Sequence, residues 1–108
     1  MRFCPGLKGA AMIRHIVLHR VKPDASPERV TAWKDAIVAL CETSPEVLSF
    51  SFGSNIGAGP NHYDTATIMD FQDMDTFRAY VKSDRHMAYV NDHAIHVAAS
   101  LAAIQHEL

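Results

Sequence analysis

Seven histidines in a chain of 108 residues are the groups best suited to chemistry near neutral pH, and their spacing sorts them. His15 and His19 lie two apart in the β-branched run Ile13-Arg14-His15-Ile16-Val17-Leu18-His19-Arg20-Val21. Strand alternation puts both imidazoles on one face with Ile13, Val17 and Val21, and Arg14, Ile16, Leu18 and Arg20 on the other. Among aliphatic neighbours His15 stays uncharged near pH 7, because desolvation disfavours the imidazolium. A neutral imidazole can take a proton from an activated carbon or donate one to a carbonyl. The competing role for His15 is a core histidine bonded to a neighbouring strand. His19, near the strand's end, reads as a rim residue. His86 follows Tyr80 by six residues in a stretch with no structural demand for an imidazole, and the two read as pocket residues. His93 and His96, spaced i,i+3, would put two imidazoles on one metal, but no third ligand follows at a fixed spacing; neither a metal nor a cofactor is expected. His62 and His106 read as solvated or edge groups.

The elements that must position these side chains follow from caps and periodicity. Ser26 is a suitable N-cap, Pro27 fits the first helical position and Glu28 suits the positive end of a helix. Val30, Trp33, Ile37, Leu40 and Cys41 recur at helical spacing, so a helix runs from about Pro27 to Glu42, with Trp33 in the core. Thr43-Ser44-Pro45 stops it. Val47 to Phe52 alternates as a second strand. Gly53 to His62 is a glycine-rich connection with no helix start after it, which argues against a nucleotide site. Tyr63 to Phe71 is a third strand. Asp70, Asp73 and Asp75 read as helix-capping acids, opening a helix through Phe77, Tyr80 and Val81. The pattern resumes after Ser83-Asp84 with Met87, Val90, Ala94, Val97 and Ala98, and Leu101 to Leu108 closes the chain as a last strand. The order βαββαβ predicts an α+β, ferredoxin-like fold: a four-stranded antiparallel sheet, β1 and β3 central, with two helices on one face. The uncovered face is expected to show Val17, Val21 and apolar groups of the second and third strands. A patch of that size calls for a partner, most simply a second copy that encloses a barrel-like interior.

Composition limits the partners. Apolar content of 48% and charge of 20% are ordinary for a globular domain. A net charge of -2 with interspersed signs argues against nucleic acid and anionic membrane. No apolar run reaches the ~20 residues that span a bilayer. Cys4 and Cys41 lack metal-type spacing and suit a reduced, cytoplasmic protein. Residues 1–11 (MRFCPGLKGAA) read as an irregular leader before a domain over 12–108, and as the least ordered part of the chain.

Four motifs in order carry a resemblance. They are Arg14-His15-Ile16-Val17-Leu18, Gly53-Ser54-Asn55, Tyr63-Asp64 opening a strand that ends at Phe71, and Ala79-Tyr80 followed by His86. Together, over about Met12 to Leu108, the chain resembles the stress-responsive dimeric α/β-barrel proteins, which include plant stress proteins and a polyketide cyclase. The resemblance implies a homodimer and an interior pocket for a small hydrophobic substrate. It further implies that His86 acts as a base, Tyr80 orients substrate and base, and His15 completes the site, with no cofactor or metal. A first-helix tyrosine of the cyclase falls at Ile37 here, and the His-Pro usual before the later histidine is replaced by Ser83-Asp84. Two functions are open: a cofactor-free cyclase, isomerase or lyase working by proton transfer, or a structural stress-related homodimer whose pocket is filled by Phe50, Phe52, Met69 and Phe71.

Overall fold

A computed structural model describes residues 11–108; the leader expected over 1–11 lies outside it apart from Ala11. Ile13–Val21 forms β1, Pro27–Thr43 α1, Ser49–Ser54 β2, Thr65–Phe71 β3 and Met74–Lys82 α2. Asp84–Tyr89 forms α3, continued by a wider π-turn at Val90–Ala94 and a single turn, α4, at Ile95–Val97. The last strand, β4, is Ala98–Glu107. The sheet order is β2-β3-β1-β4 with every pairing antiparallel, the ferredoxin-like arrangement expected from the element order.

The caps that start and stop the helices are those the sequence offers. Ser26 Oγ accepts from the Arg29 amide ahead of Pro27, and Asp73 accepts from the Thr76 amide at 2.8 Å to open α2. Asp70 and Asp75 have other work. Asp70 lies in β3 and takes a two-point hydrogen-bonded ion pair from Arg14 at 2.8 and 3.0 Å, with Ser49 Oγ donating a third bond at 3.0 Å. The Arg14 hydrogen bonds hold its carboxyl below the usual carboxylate range. Asp75 pairs with Arg78 on the exposed face of α2.

Alternation along β1 decides which residues meet the helices. His15, Val17 and His19 lie under α1 and α2: Trp33 stands edge-on to His19 at 5.3 Å and Phe77 tilts against His15 at 4.8 Å. The expectation that Val17 and Val21 face outward is therefore reversed. The open face carries Arg14, Ile16, Leu18 and Arg20, and Val17 is in the core. Cross-strand register extends this face into two apolar rows, Ser51-Ile68-Ile16-Ile104 and Gly53-Ala66-Leu18-Ala102.

Between sheet and helices, Ile13, Val17, Leu40, Cys41, Met69, Phe71 and Tyr80 form one buried cluster, and Trp33, Ile37 and Val97 a second. Phe71, fully buried, touches Phe77 and Tyr80 with both ring centroids at 5.3 Å. Trp33 Nε1 donates to Tyr89 Oη at 3.0 Å and ties α1 to α3.

Two boundaries differ from the sequence reading by more than fraying. Helical structure stops at Val97, and β4 begins at Ala98 rather than Leu101, because Val21 and Arg20 supply ladder partners for Ala98 and Ser100. Ala99 is the extra residue of a bulge there. At the other edge β2 is shifted to Ser49–Ser54, so Gly53 belongs to the strand and not to the loop. In that loop His62 lies so close over Gly57 that a Cβ there would collide with its ring, while Gly59 adopts φ +132°.

Truncation of Phe71 removes the shared contact of β3 and α2. Phe71→Ala is expected to lose about 3–5 kcal/mol in urea denaturation, whereas Asp73→Ala, which removes only a cap, loses about 1 kcal/mol.

Candidate functional site

A cavity of about 470 Å³ opens between the sheet and the helical layer. Each side contributes residues that the local fold orients. From β1 come His15, Val17 and His19, which point to the helices because they share its odd positions. Phe77 and Tyr80 come from α2, about one turn apart on its inward side, and His86 and Tyr89, with the same spacing, from α3. The π-turn, α4 and β4 close the remaining side with Val90, Ala94, Ile95 and the alanines around Leu101. His15, Tyr80 and His86, picked from the sequence, thus line one cavity.

Tyr80 and His86 belong to different helices, and one serine joins them. Ser83 Oγ donates to the Tyr80 carbonyl at 2.7 Å, ending α2, and accepts from the His86 amide at 3.2 Å, starting α3. The two rings meet edge to face with centroids 5.0 Å apart. His15 is fixed from two directions. Phe77 packs on its ring, and Gln105 Nε2, opposite it in the β1–β4 register, donates to its Nδ1 at 3.0 Å.

Burial controls the electrostatics. It lowers the pKa of His15, with a smaller contribution from the charge of His86. It lowers that of His19, and that of His86 despite an opposing influence of the Val81 backbone. The Tyr80 hydroxyl is pushed far above the ordinary phenol value, first by burial, so it is an O–H donor and not a phenolate. Tyr89 is pushed up to about 12 by burial, and the buried Cys41 thiol up to about 11, so Cys41 is no thiolate nucleophile near neutral pH. The arrangement can move protons between neutral groups in apolar surroundings. Among the described residues no group of three or more His, Cys, Asp or Glu side chains is placed to hold a metal ion. No helix among them is long and apolar enough to cross a membrane.

Two residues of the cavity, His19 and Tyr89, and the support Gln105 behind its wall escaped the sequence reading. His19 is 5% exposed rather than at the rim. Its parity with His15 and Val17, and a tryptophan on the covering helix, were the available signals. Gln105 and Tyr89 gave none, since a cross-strand register and a helix crossing bring them in. Ile37, where the cyclase resemblance would place a tyrosine, does line the cavity. A second cavity of about 420 Å³, beside Gly53, Asn55, His62 and Tyr63, contains none of the candidate residues.

The three cavity histidines make stability pH-dependent with a defined sign. Each folded-state pKa lies below the ordinary 6.5, so the unfolded chain takes up protons first as pH falls. Unfolding free energy is therefore expected to drop below about pH 6.5, by at most about 1.4 kcal/mol per pH unit for each histidine. Urea denaturation from pH 7.5 to 5 measures the slope, and His19→Phe makes it shallower.

Comparison with known proteins agrees with this architecture. The family model described as "Stress responsive A/B Barrel Domain" (Dabb) matches residues 13–107. No curated protein sequence matches the chain. A dimeric ferredoxin-like protein of unknown function from Thermobifida fusca is 28% identical, with TM-score 0.80 over 99% of this chain and 100% of that one. A Dabb family protein from Mesorhizobium loti is 20% identical, with TM-score 0.78 over 91% and 97%. A hydroxynitrile lyase from Passiflora edulis is 15% identical, with TM-score 0.80 over 93% and 95%. With the family model matching nearly all of its length, the chain belongs to the stress-responsive A/B barrel domain family.

Proposed function

We propose that this domain pairs with a second copy through its open sheet face, and that the helix-side cavity binds a small organic molecule. In this reading His15, Tyr80 and His86 move protons next to a carbonyl without a cofactor, as a cyclase, isomerase or lyase does. One observation carries it: Phe50, Phe52, Met69 and Phe71 all belong to the covered side, and a cavity of about 470 Å³ holding the three candidate residues still remains. A purely structural homodimer needs that space filled. In this reading His86 is the base, and Tyr80, against whose ring it packs, orients substrate and base. The Passiflora lyase supports the view that this fold accommodates catalysis, without assigning residues. A cytoplasmic setting suits Cys41, a buried free thiol.

Pairing rests on the two apolar rows around Ile16, Ile68 and Leu18, and on relatives described as dimeric. Ile104 sits in one of these rows, 61% exposed in the single chain. Sedimentation at micromolar concentration is expected to give about twice the 12.0 kDa chain mass, and Ile104→Glu to give the single mass. A wild-type monomer overturns the pairing.

Proton transfer can be measured before the natural substrate is known. In D₂O, the protein is expected to accelerate deuterium exchange at the methyl group of 2-acetonaphthone, followed by proton NMR. His86→Ala is expected to lower that acceleration by about 10²–10⁴ and leave the melting temperature nearly unchanged. His15→Ala loses packing and strands its Gln105 partner, costing about 1–3 kcal/mol. If His86→Ala melts as low as His15→Ala, His86 is a structural histidine and the catalytic reading falls.

A further inference from the structure

We infer that the cavity takes an uncharged ligand that presents a hydrogen-bond acceptor to His15, and that Gln105 is the positioning residue that fixes His15 as the donor. This rests on the cavity being a binding site and adds the chemical class of what binds.

The first support is the wall itself. Among the described residues, it contains no lysine, arginine, aspartate or glutamate. Its polar groups are three imidazoles, two phenols and Ser100. The nearby Glu46 is paired with Arg85 at 3.0 Å, and neither belongs to the wall. A carboxylate, phosphate or ammonium entering this space would give up its water without meeting an opposite charge, a penalty that Coulomb attraction elsewhere does not repay. At the mouth Ile95 and Leu101 are 53% and 58% exposed, so the outer end of the ligand meets apolar surface.

The second support is the bond between β4 and β1. An amide nitrogen only donates. With Gln105 Nε2 at 3.0 Å, His15 Nδ1 is the acceptor, and the single proton of the neutral ring sits on Nε2. Phe77 fixes the ring plane and the strand register fixes Gln105, so the remaining nitrogen is an N–H with a set direction. His15 therefore does not serve as the base. It polarises a carbonyl, nitrile or ether acceptor, and leaves proton abstraction to His86. The two imidazoles divide the roles that the sequence left open for one.

Two measurements test this on the 108-residue chain. Nitrogen–proton correlation spectra of the imidazoles at pH 7.5 are expected to show His15 protonated on Nε2 alone. In Gln105→Glu the carboxylate can only accept, and the proton moves to Nδ1; in Gln105→Met, which keeps the shape and removes the donor, both tautomers appear. Binding is compared for three probes of like shape: 2-acetonaphthone, 2-naphthoate and 2-ethylnaphthalene. The ketone is expected to bind at least tenfold more tightly than the carboxylate, and about three- to tenfold more tightly than the hydrocarbon. Gln105→Glu is expected to abolish the preference for the ketone over the hydrocarbon. Equal or tighter binding of 2-naphthoate, or wild-type His15 protonated on Nδ1, overturns the inference. Binding of none of the three overturns the cavity reading beneath it. Binding of the ketone without catalysed exchange removes the catalytic reading and leaves this one standing.

Discussion

Everything in this domain depends on β1 being hydrogen-bonded along both edges while its side chains alternate between two apolar environments. The odd positions go under the helices and supply the floor of the cavity. The even positions go to the open face. A slip of one residue would exchange His15 with Arg14 and press a guanidinium against Phe77. Arg14 opposes this directly. It faces Asp70 in the β1–β3 register and holds it by two bonds, so the pair marks the correct alignment as well as adding energy. Asp70 is 8% exposed and has Ser49 as a third partner, which keeps the charge well satisfied at that depth.

The fold was legible because its local signals agree with one another. Ser26-Pro27, the Val30-Trp33-Ile37-Leu40 spacing and the Asp73 cap mark helices that could be placed without tertiary information. Which face of β1 the helices cover was not legible. Both faces carry aliphatic groups, so alternation separates two sets of residues without saying which set the helices choose. Trp33 and Phe77 make that choice by packing on His19 and His15. β4 was read short for a related reason. Alanine has little intrinsic preference for strands, and the start at Ala98 is imposed by the ladder to β1.

The candidate site was half legible. His86 stood out as an imidazole without a structural demand, Tyr80 as its neighbour, and His15 as a strand histidine with a core role open beside it; all three line one cavity. Their supports did not stand out, because they come from contacts distant in sequence: Gln105 from across the sheet, Tyr89 through its bond to Trp33, Phe77 from the neighbouring helix. Those supports determine what the imidazoles can do. A histidine's chemistry depends on which ring nitrogen is occupied and on how much water it has lost, and neither property resides in the residue itself.

Ser83 adds a dynamic consequence. The same hydroxyl closes one helix on the Tyr80 carbonyl and opens the next on the His86 amide. Beyond it the chain runs through three short helical pieces, tied back by the Trp33–Tyr89 bond, the Arg85–Glu46 ion pair, the Lys22 amide donating to the Val97 carbonyl at 2.7 Å, and Val97 itself, buried against Trp33 and Ile37. The sheet, by contrast, is laddered across its whole width. The segment from Asp84 to Ala94, none of whose side chains is fully buried, is thus the part able to loosen while the strands stay intact, bounded by Ser83 at one end and by buried Val97 at the other. Such a movement would carry one wall of the cavity away, and His86 with it. The room inside the cavity is then set by how this segment packs as well as by the side chains that line the resting space.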